Sequence, residues 1–280
     1  MGVRINIVVL SGKGGTGKTL VSTNLVLIMK ANYVDADVEE PNGFIFLKPK
    51  IKNIDNVEVD IPSINTKLCQ KCYKCVSFCE FNALAIVKND ILVFDKLCHS
   101  CGGCKIVCPF NAISYKKKTI GIIEKGISDD ILCIRGVLNV GEMISVPLIK
   151  ELLGNLESNI NIIDSAPGTS CNVVNTLNYA NCAILVTEPT EFGLHDLKRA
   201  VALVEDLKIP FGVVVNRVIE HNNIIKKYCE EKKIKILSEI NYEKKIAVLY
   251  SSGSLLIDDE NYKKIFINLS KKIKEHLLCN

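Results

Sequence analysis

The chain has 280 residues, 48% of them hydrophobic, and a formal net charge of +4. That is enough for one large core plus a small module. The mild charge, with Lys and Arg scattered among Asp and Glu, argues against a nucleic-acid partner, and no run of 18 uncharged apolar residues offers a membrane span.

Residues 1–60 open with a strand, a Gly-rich loop, a helix and a second strand. Met1–Leu10 is apolar, but Ser11-Gly12-Lys13 follows at once. A signal peptide needs a basic start, a longer apolar region and a small-residue cleavage site, so Arg4–Leu10 reads as a buried strand and the protein as cytoplasmic. Gly12-Lys13-Gly14-Gly15-Thr16-Gly17-Lys18-Thr19 then satisfies G-x-x-x-x-G-K-[ST] between a strand and an apolar helix, the setting that gives this motif its meaning. Gly12, Gly14, Gly15, Thr16 and Gly17 would turn backbone N–H groups inward around phosphate oxygens, and the helix N-terminus adds its positive end. Lys18 would reach the β- and γ-phosphates and Thr19 would ligate Mg²⁺.

Residues 61–118 are Cys-rich. The chain has thirteen cysteines and no export signal, and clustered thiols in a reducing compartment point to metal rather than disulfides. Cys69, Cys72, Cys75 and Cys79 recur 29 residues later as Cys98, Cys101, Cys104 and Cys108, and Phe81-Asn82-Ala83-Leu84 recurs as Phe110-Asn111-Ala112-Ile113. Ala83–Val87 and Ile91–Phe94 flank Lys88-Asn89-Asp90 as a hairpin. C-x2-C-x2-C-x3-C, present twice, is the spacing of two-cluster bacterial ferredoxins, in which the fourth Cys of each run serves the other cluster. One [4Fe–4S] cluster would take Cys69, Cys72, Cys75 and Cys108, and the second Cys98, Cys101, Cys104 and Cys79. Glu80 stands where that pattern has Pro, as Pro109 does in the second run; this alters a turn and removes no ligand. Zinc remains an alternative, although four-Cys zinc sites usually come as two separated C-x2-C pairs. Eight thiolates and two doubly positive cores would together bring the formal charge from +4 to near zero. Lys116–Lys118 reads as a solvated linker face.

Residues 119–280 return to apolar strands, Ile160–Asp164, Cys182–Thr187 and Pro210–Val215, alternating with helices near Gly193–Leu207, Asn222–Lys232 and Tyr262–Leu278. Near-continuous Ile/Val/Leu runs fit strands covered on both faces of a parallel sheet, and the alternation predicts an α/β, doubly wound fold. Cys133 and Cys182 read as core residues. Cys171 is left open, Cys229 and Cys279 lack a spacing signature, and His195, His221 and His276 lack a partner motif. His99, between cluster cysteines, reads as a surface residue, with tuning of a potential as the alternative.

Lys13 inside the phosphate loop resembles the deviant Walker A of the MinD/ParA-like ATPases, the group that includes the nitrogenase iron protein and the Mrp-type iron–sulfur carriers. The resemblance implies a P-loop doubly wound, mostly parallel sheet with an inserted α+β ferredoxin-like domain, divided as 1–60, 61–118 and 119–280. It also implies ATP hydrolysis in a face-to-face homodimer with Lys13 acting on the partner's nucleotide. Val34-Asp35-Ala36-Asp37 looks like the family's first switch, with Asp37 on the Mg²⁺ shell or attacking water and Asp35 structural. Ile162-Ile163-Asp164-Ser165-Ala166-Pro167-Gly168-Thr169-Ser170 resembles the second, with Asp164 holding a Mg²⁺-bound water and the Gly168 amide sensing the γ-phosphate. Asn216 matches the family's adenine-binding Asn, with a strand cap as the alternative. No N/T-K-x-D guanine signature appears, which favours ATP. Thr187-Glu188-Pro189-Thr190 also looks like the family, without an assigned role. Two functions follow: nucleotide-gated electron transfer to a redox partner, or delivery of iron–sulfur clusters to an acceptor protein. A MinD-like positioning role is a third, for which Lys271-Lys272-Ile273-Lys274 gives no convincing membrane anchor.

Overall fold

A computed structural model describes residues 4–156, 158–219 and 222–278. His221 and Cys279 lie outside the described residues. The chain divides into two compact units. The larger comprises 1–54, 123–137 and 149–280, and the smaller 55–122 and 138–148.

The chain begins with β1 (Ile5–Leu10), whose residues are buried from Asn6 onward, as in a strand covered on both faces. Helix α1 (Lys18–Met29) follows the Gly-rich loop and is buried over most of its length, then β2 (Asn32–Ala36) and the short α2 (Phe44–Leu47). The long β3 (Lys50–Ile64) leads into the smaller unit, which holds α3 (Lys74–Phe78), β4 (Leu84–Val87), β5 (Asp90–Val93) and α4 (Gly103–Ile106). The long β6 (Ile113–Ser128) leads back and turns into β7 (Ile131–Leu138). There follow α5 (Val146–Gly154), β8 (Ile160–Ser165), α6 (Cys171–Leu177), β9 (Cys182–Thr187), α7 (Glu191–Asp206) and β10 (Phe211–Val218). The last elements are α8 (Ile224–Lys232), β11 (Ile236–Asn241), α9 (Lys244–Ser251) and α10 (Glu260–Ile273).

One sheet runs in the order β11-β10-β9-β1-β8-β2-β7-β6-β3. The pairs from β11 to β7 are parallel. β6 and β7 are joined by a two-residue turn at Asp129-Asp130, both with positive φ, the hairpin geometry that suits strand twist. Ile7, Val9, Ile162 and Ile184 pack with Leu25 of α1 and Phe266, Leu269 and Ile273 of α10 into the main core. This mostly parallel α/β sheet is the predicted fold class. Its carboxyl ends carry the phosphate loop after β1, Asp37 after β2, Asp164 on β8, Glu188 after β9 and Asn216 on β10, where this architecture binds ligands.

Several elements departed from the sequence reading. Lys116–Lys118 is not a linker; it lies inside β6. Neither β3, β6 and β7 nor β11 and α9 were singled out. The first seven residues of β3, on an edge, are exposed and show no apolar alternation to mark them. Helix α8 starts at Ile224 rather than Asn222, and α10 starts at Glu260, where Asp259 caps it by accepting from the Asn261 N–H at 2.9 Å.

In the smaller unit the 29-residue repeat is visible in the backbone. Lys71, Tyr73 and Asn82 have positive φ, as do their counterparts Ser100, Gly102 and Asn111. Val76 N–H donates to Tyr73 O and, one repeat later, Lys105 N–H to Gly102 O. The halves are crossed: Asn65 N–H donates to Ala112 O and Phe94 N–H to Ala83 O, each at 2.8 Å. β4 and β5 pair antiparallel around Lys88-Asn89, both at positive φ.

Candidate nucleotide and thiol sites

Helix α1 is unlike α7 and α10 at its start. Thr190 and Asp259 cap those helices with side-chain oxygens, whereas Gly17 precedes α1 with no side-chain cap. The first-turn N–H groups of α1 are therefore left for an external acceptor. Gly17 has φ +98, and a Cβ there would meet Asn216 Nδ2 at 2.3 Å. At Gly12 a Cβ would stand 2.4 Å from the Asp196 carbonyl. Both positions need glycine, and both bear on the loop's shape. A cleft of about 350 Å³ is lined by Gly14, Gly15, Gly17, Lys18 and Thr19 of the loop and α1, by Asp37 and Asn216, and by Ile246, Ala247 and Tyr250 of α9. Such a size and lining suit a nucleotide-sized ligand.

Asp164 is buried, and its Oδ1 has no hydrogen-bond partner; the buried Thr16 and Ser165 hydroxyls are likewise unpartnered. A buried carboxylate oxygen without a partner, close to Lys18, marks a place that a ligand completes. The other oxygen, Oδ2, accepts from Tyr33 Oη at 3.2 Å, and Tyr33 Oη also lies 3.1 Å from Asp35 Oδ2. Asp35 further accepts from the Gly43 and Asp37 N–H groups, so it ties down the loop after β2, consistent with a structural role. Burial, then the nearby Asp164, pushes the Asp35 carboxyl up to about 8. Burial raises Asp37 to about 6, opposed by the Lys18 ammonium and aided by Asp164. Burial also raises Asp164, against the pull of Lys18. Two carboxylates share one lysine, with Asp35 close to both, so the site is short of positive charge. Asp37, Asp164 and Thr19 fit a divalent cation by their oxygen chemistry and by the orphaned Oδ1.

Lys13 points along its own chain to an ion pair with Glu188, which also holds Arg217 Nη1 at 3.0 Å. The Gly168 N–H donates to Ser11 O at 2.8 Å, so it must give up that bond before it can meet a phosphate. Asn216 Nδ2 donates to Thr16 O at 2.8 Å and its Oδ1 accepts from the Arg217 N–H. It therefore braces the phosphate loop, and the residue lines the cleft. Sequence reasoning missed Tyr33, Arg217 and the Ile246–Tyr250 wall; an apolar-looking strand and a helix with no motif gave no signal for them.

The cysteines of the smaller unit separate into two hollows. Cys69, Cys72, Cys75 and Cys108 line one, and Cys98, Cys101, Cys104 and Cys79 line the other. Backbone N–H groups approach the sulfurs, Ala112 to Cys108 at 3.4 Å and Ser100 to Cys98 at 3.5 Å. Among the described residues no three His, Cys, Asp or Glu side chains converge on a site for a single ion. His99 is exposed and stacks on Phe81 with centroids 3.8 Å apart. Cys133 and Cys182 are core thiols that burial pushes up to about 12, and Cys229 to about 11; Cys171 is exposed at the start of α6. No helix among the described residues is long and apolar enough to cross a membrane.

Residues 7–257 match the family described as the CobQ/CobB/MinD/ParA nucleotide binding domain. An uncharacterised protein of Methanocaldococcus jannaschii is 34% identical over 91% of this chain and 94% of its own length. An iron–sulfur cluster carrier protein of Pyrococcus furiosus is 25% identical over 77% of this chain and 62% of its own length. In fold, the septum site-determining protein MinD of Pyrococcus horikoshii, solved with Mg-ADP, superposes with a TM-score of 0.61 at 16% identity, covering 98% of this chain and 97% of that one.

Proposed function

The chain belongs to the CobQ/CobB/MinD/ParA family of nucleotide-binding domains, and from that premise we propose that it is a cytoplasmic ATPase that couples its nucleotide state to electron transfer through two [4Fe–4S] clusters. The observation that carries the second half is the sorting of eight cysteines into two four-thiol hollows, each completed by the fourth Cys of the other repeat. A cubane takes one thiolate per iron, so its ligands stand around a hollow, and a site for one ion is not required. The residues present fit that group, and the smaller unit reads as a ferredoxin-like insertion. When bound, the clusters supply one-electron chemistry; the chain supplies the thiolates and the N–H groups aimed at Cys98 and Cys108.

For the nucleotide, the α1 amides and Lys18 bind the phosphates, and Thr19, Asp37 and Asp164 hold Mg²⁺ and the waters around it. When bound, Mg²⁺ would supply positive charge that offsets the phosphates. Asn216 holds the loop and, with Ile246 and Tyr250, borders the adenine. Lys13 acts in a homodimer on the partner's nucleotide, where an added ammonium stabilises charge on the transferring phosphoryl group.

The test is anaerobic. Purified protein is assayed for iron and inorganic sulfide, reduced, and its cluster EPR recorded with and without Mg-ATP. Close to eight irons per chain and a spectrum or potential that responds to ATP are expected; colourless, sulfide-free protein would end the reading. The similarity to a protein named an iron–sulfur cluster carrier favours a second reading, delivery of clusters to an acceptor. Loss of iron to an added apo-acceptor on ATP turnover would select it.

A further inference from the structure

The two thiol hollows are equivalent in backbone and unlike in charge. Around the first, the loop from Asn65 to Lys74 carries Lys67, Lys71 and Lys74 and no acidic residue. The matching loop, Phe94 to Gly103, has one acid, Asp95, and one base, Lys96. The hollows differ in the same sense, though less sharply. Lys74 lines the first, which has no acidic residue in its wall, while Asp60, paired with Lys117 at 2.9 Å, and Glu80 line the second, where Lys105 Nζ lies 5.0 Å over the Tyr115 ring of the wall. Each hollow has one exposed corner, Cys72 in the first and Cys101 in the second. Exposure therefore does not distinguish the two ends; an acid without an ion pair among the described residues does, Glu80 lining the second hollow and none lining the first.

Lys71 is paired with Asp90 at 2.9 Å. Lys67 and Lys74 have no ion pair among the described residues, both are exposed, and Lys74 shares the lining of the first hollow with the exposed Cys72. Leu68, 48% exposed, gives the same loop an apolar contact. Two unpaired ammonium groups on one loop with an exposed apolar residue and an exposed thiol fit a protein surface of opposite sign. We propose that the Lys67–Lys74 loop is the docking surface for a small acidic electron-transfer protein, so that electrons are exchanged with a partner at the Cys72 end and not the Cys101 end. This rests on the cluster reading above. One electron leaves the partner's reduced centre and one electron is gained by this chain; no bond forms or breaks and no proton moves.

The test uses the full chain, purified without oxygen, and an acidic two-[4Fe–4S] ferredoxin as the probe. Binding is measured by surface plasmon resonance at two ionic strengths, with iron and sulfide counted on the same samples. The double variant Lys67→Glu/Lys74→Glu should bind about tenfold or more weakly at low salt, mainly through a slower association rate, and should lose most of the salt dependence. Lys96→Glu, at the position matching Lys67 in the other repeat, should bind within twofold of the unaltered protein. Equal binding by the double variant at full iron content would overturn the proposal, as would an equal loss in Lys96→Glu or no binding of the ferredoxin by the iron-loaded wild type. Absent iron and sulfide would remove the cluster reading itself, an outcome separate from these three.

Discussion

Lys13 of the phosphate loop is ion-paired with Glu188, at the end of β9, in the same chain. Partial burial works to raise the Glu188 carboxyl, but Lys13 and Arg217 together hold it below the usual range. If Lys13 serves the partner's nucleotide, this pair must first open. The lysine is 34% exposed, so the pair is solvent-screened and its opening costs at most about 1 kcal/mol. Glu188→Gln should therefore tighten Mg-ATP-dependent self-association by roughly fivefold, read by sedimentation velocity. A weaker dimer would show that Glu188 supports the assembly instead of restraining the lysine. Lys13→Ala should lower ATP turnover on the order of 100-fold or more, with nucleotide affinity little changed; wild-type turnover would remove the lysine from the chemistry.

The orphaned Oδ1 of Asp164 predicts a specific thermodynamic signature. Asp164→Asn should lose the part of ATP affinity that depends on Mg²⁺, about tenfold or more, while affinity in EDTA stays unchanged. Calorimetric titration with and without the metal separates the two. Tyr33→Phe leaves both Asp35 and Asp164 without the hydroxyl that spans them, and should cost about 1–3 kcal/mol of stability. A variant as stable as the parent would show that solvent reaches this cluster.

Asp35 also sets a pH dependence opposite to that of a typical salt-bridged carboxylate. Its folded pKa is raised to about 8, while an unfolded Asp titrates near 3.8. Between these values the folded chain holds more protons than the unfolded one, so stability is greatest at the low end and falls as pH rises. The nucleotide-free protein should melt at a higher temperature at pH 6 than at pH 8, and Asp35→Asn should flatten the trend. Mg-ATP should stabilise more at pH 8, where fewer protons must leave the carboxyl groups. A melting temperature that climbs from pH 6 to pH 8 would mean that Asp35 is already ionised.

The phosphate loop, the 29-residue repeat and the apolar strands β1, β8, β9 and β10 could be read directly, because each rests on local spacing or continuous burial. The β3, β6 and β7 strands could not. β3 and β6 are partly exposed and carry lysines and acids, so no period separates them from a linker, and β7 is a short apolar run broken by Arg135 and Gly136. Tyr33 was invisible for another reason: it is one apolar-looking residue in a buried strand, and its importance comes from Asp35 and Asp164, one of them 131 positions away. Glu188 lay in a segment recognised by resemblance, yet its partners, Lys13 and Arg217, are contacts that only the fold creates.

Crossed sharing of the fourth cysteines can be tested by non-additivity. Cys72 and Cys108 line one hollow, although they come from different repeats, and Cys101 and Cys79 line the other. Substitutions that disable the same unit do not add, whereas those in separate units do. Cys72→Ser, Cys108→Ser and the double variant should each lose about half of the iron, and the double no more than either single. Cys72→Ser combined with Cys79→Ser, two residues of one run, should instead lose nearly all of it, because each belongs to a different hollow. Iron retained at half in that second pair, with near-complete loss in the first, would reverse the assignment and place each cluster within a single repeat. Near-UV circular dichroism of each variant distinguishes a lost cluster from an unfolded chain, since the larger unit draws its core from Ile7, Ile162 and Phe266 and not from the thiol loops.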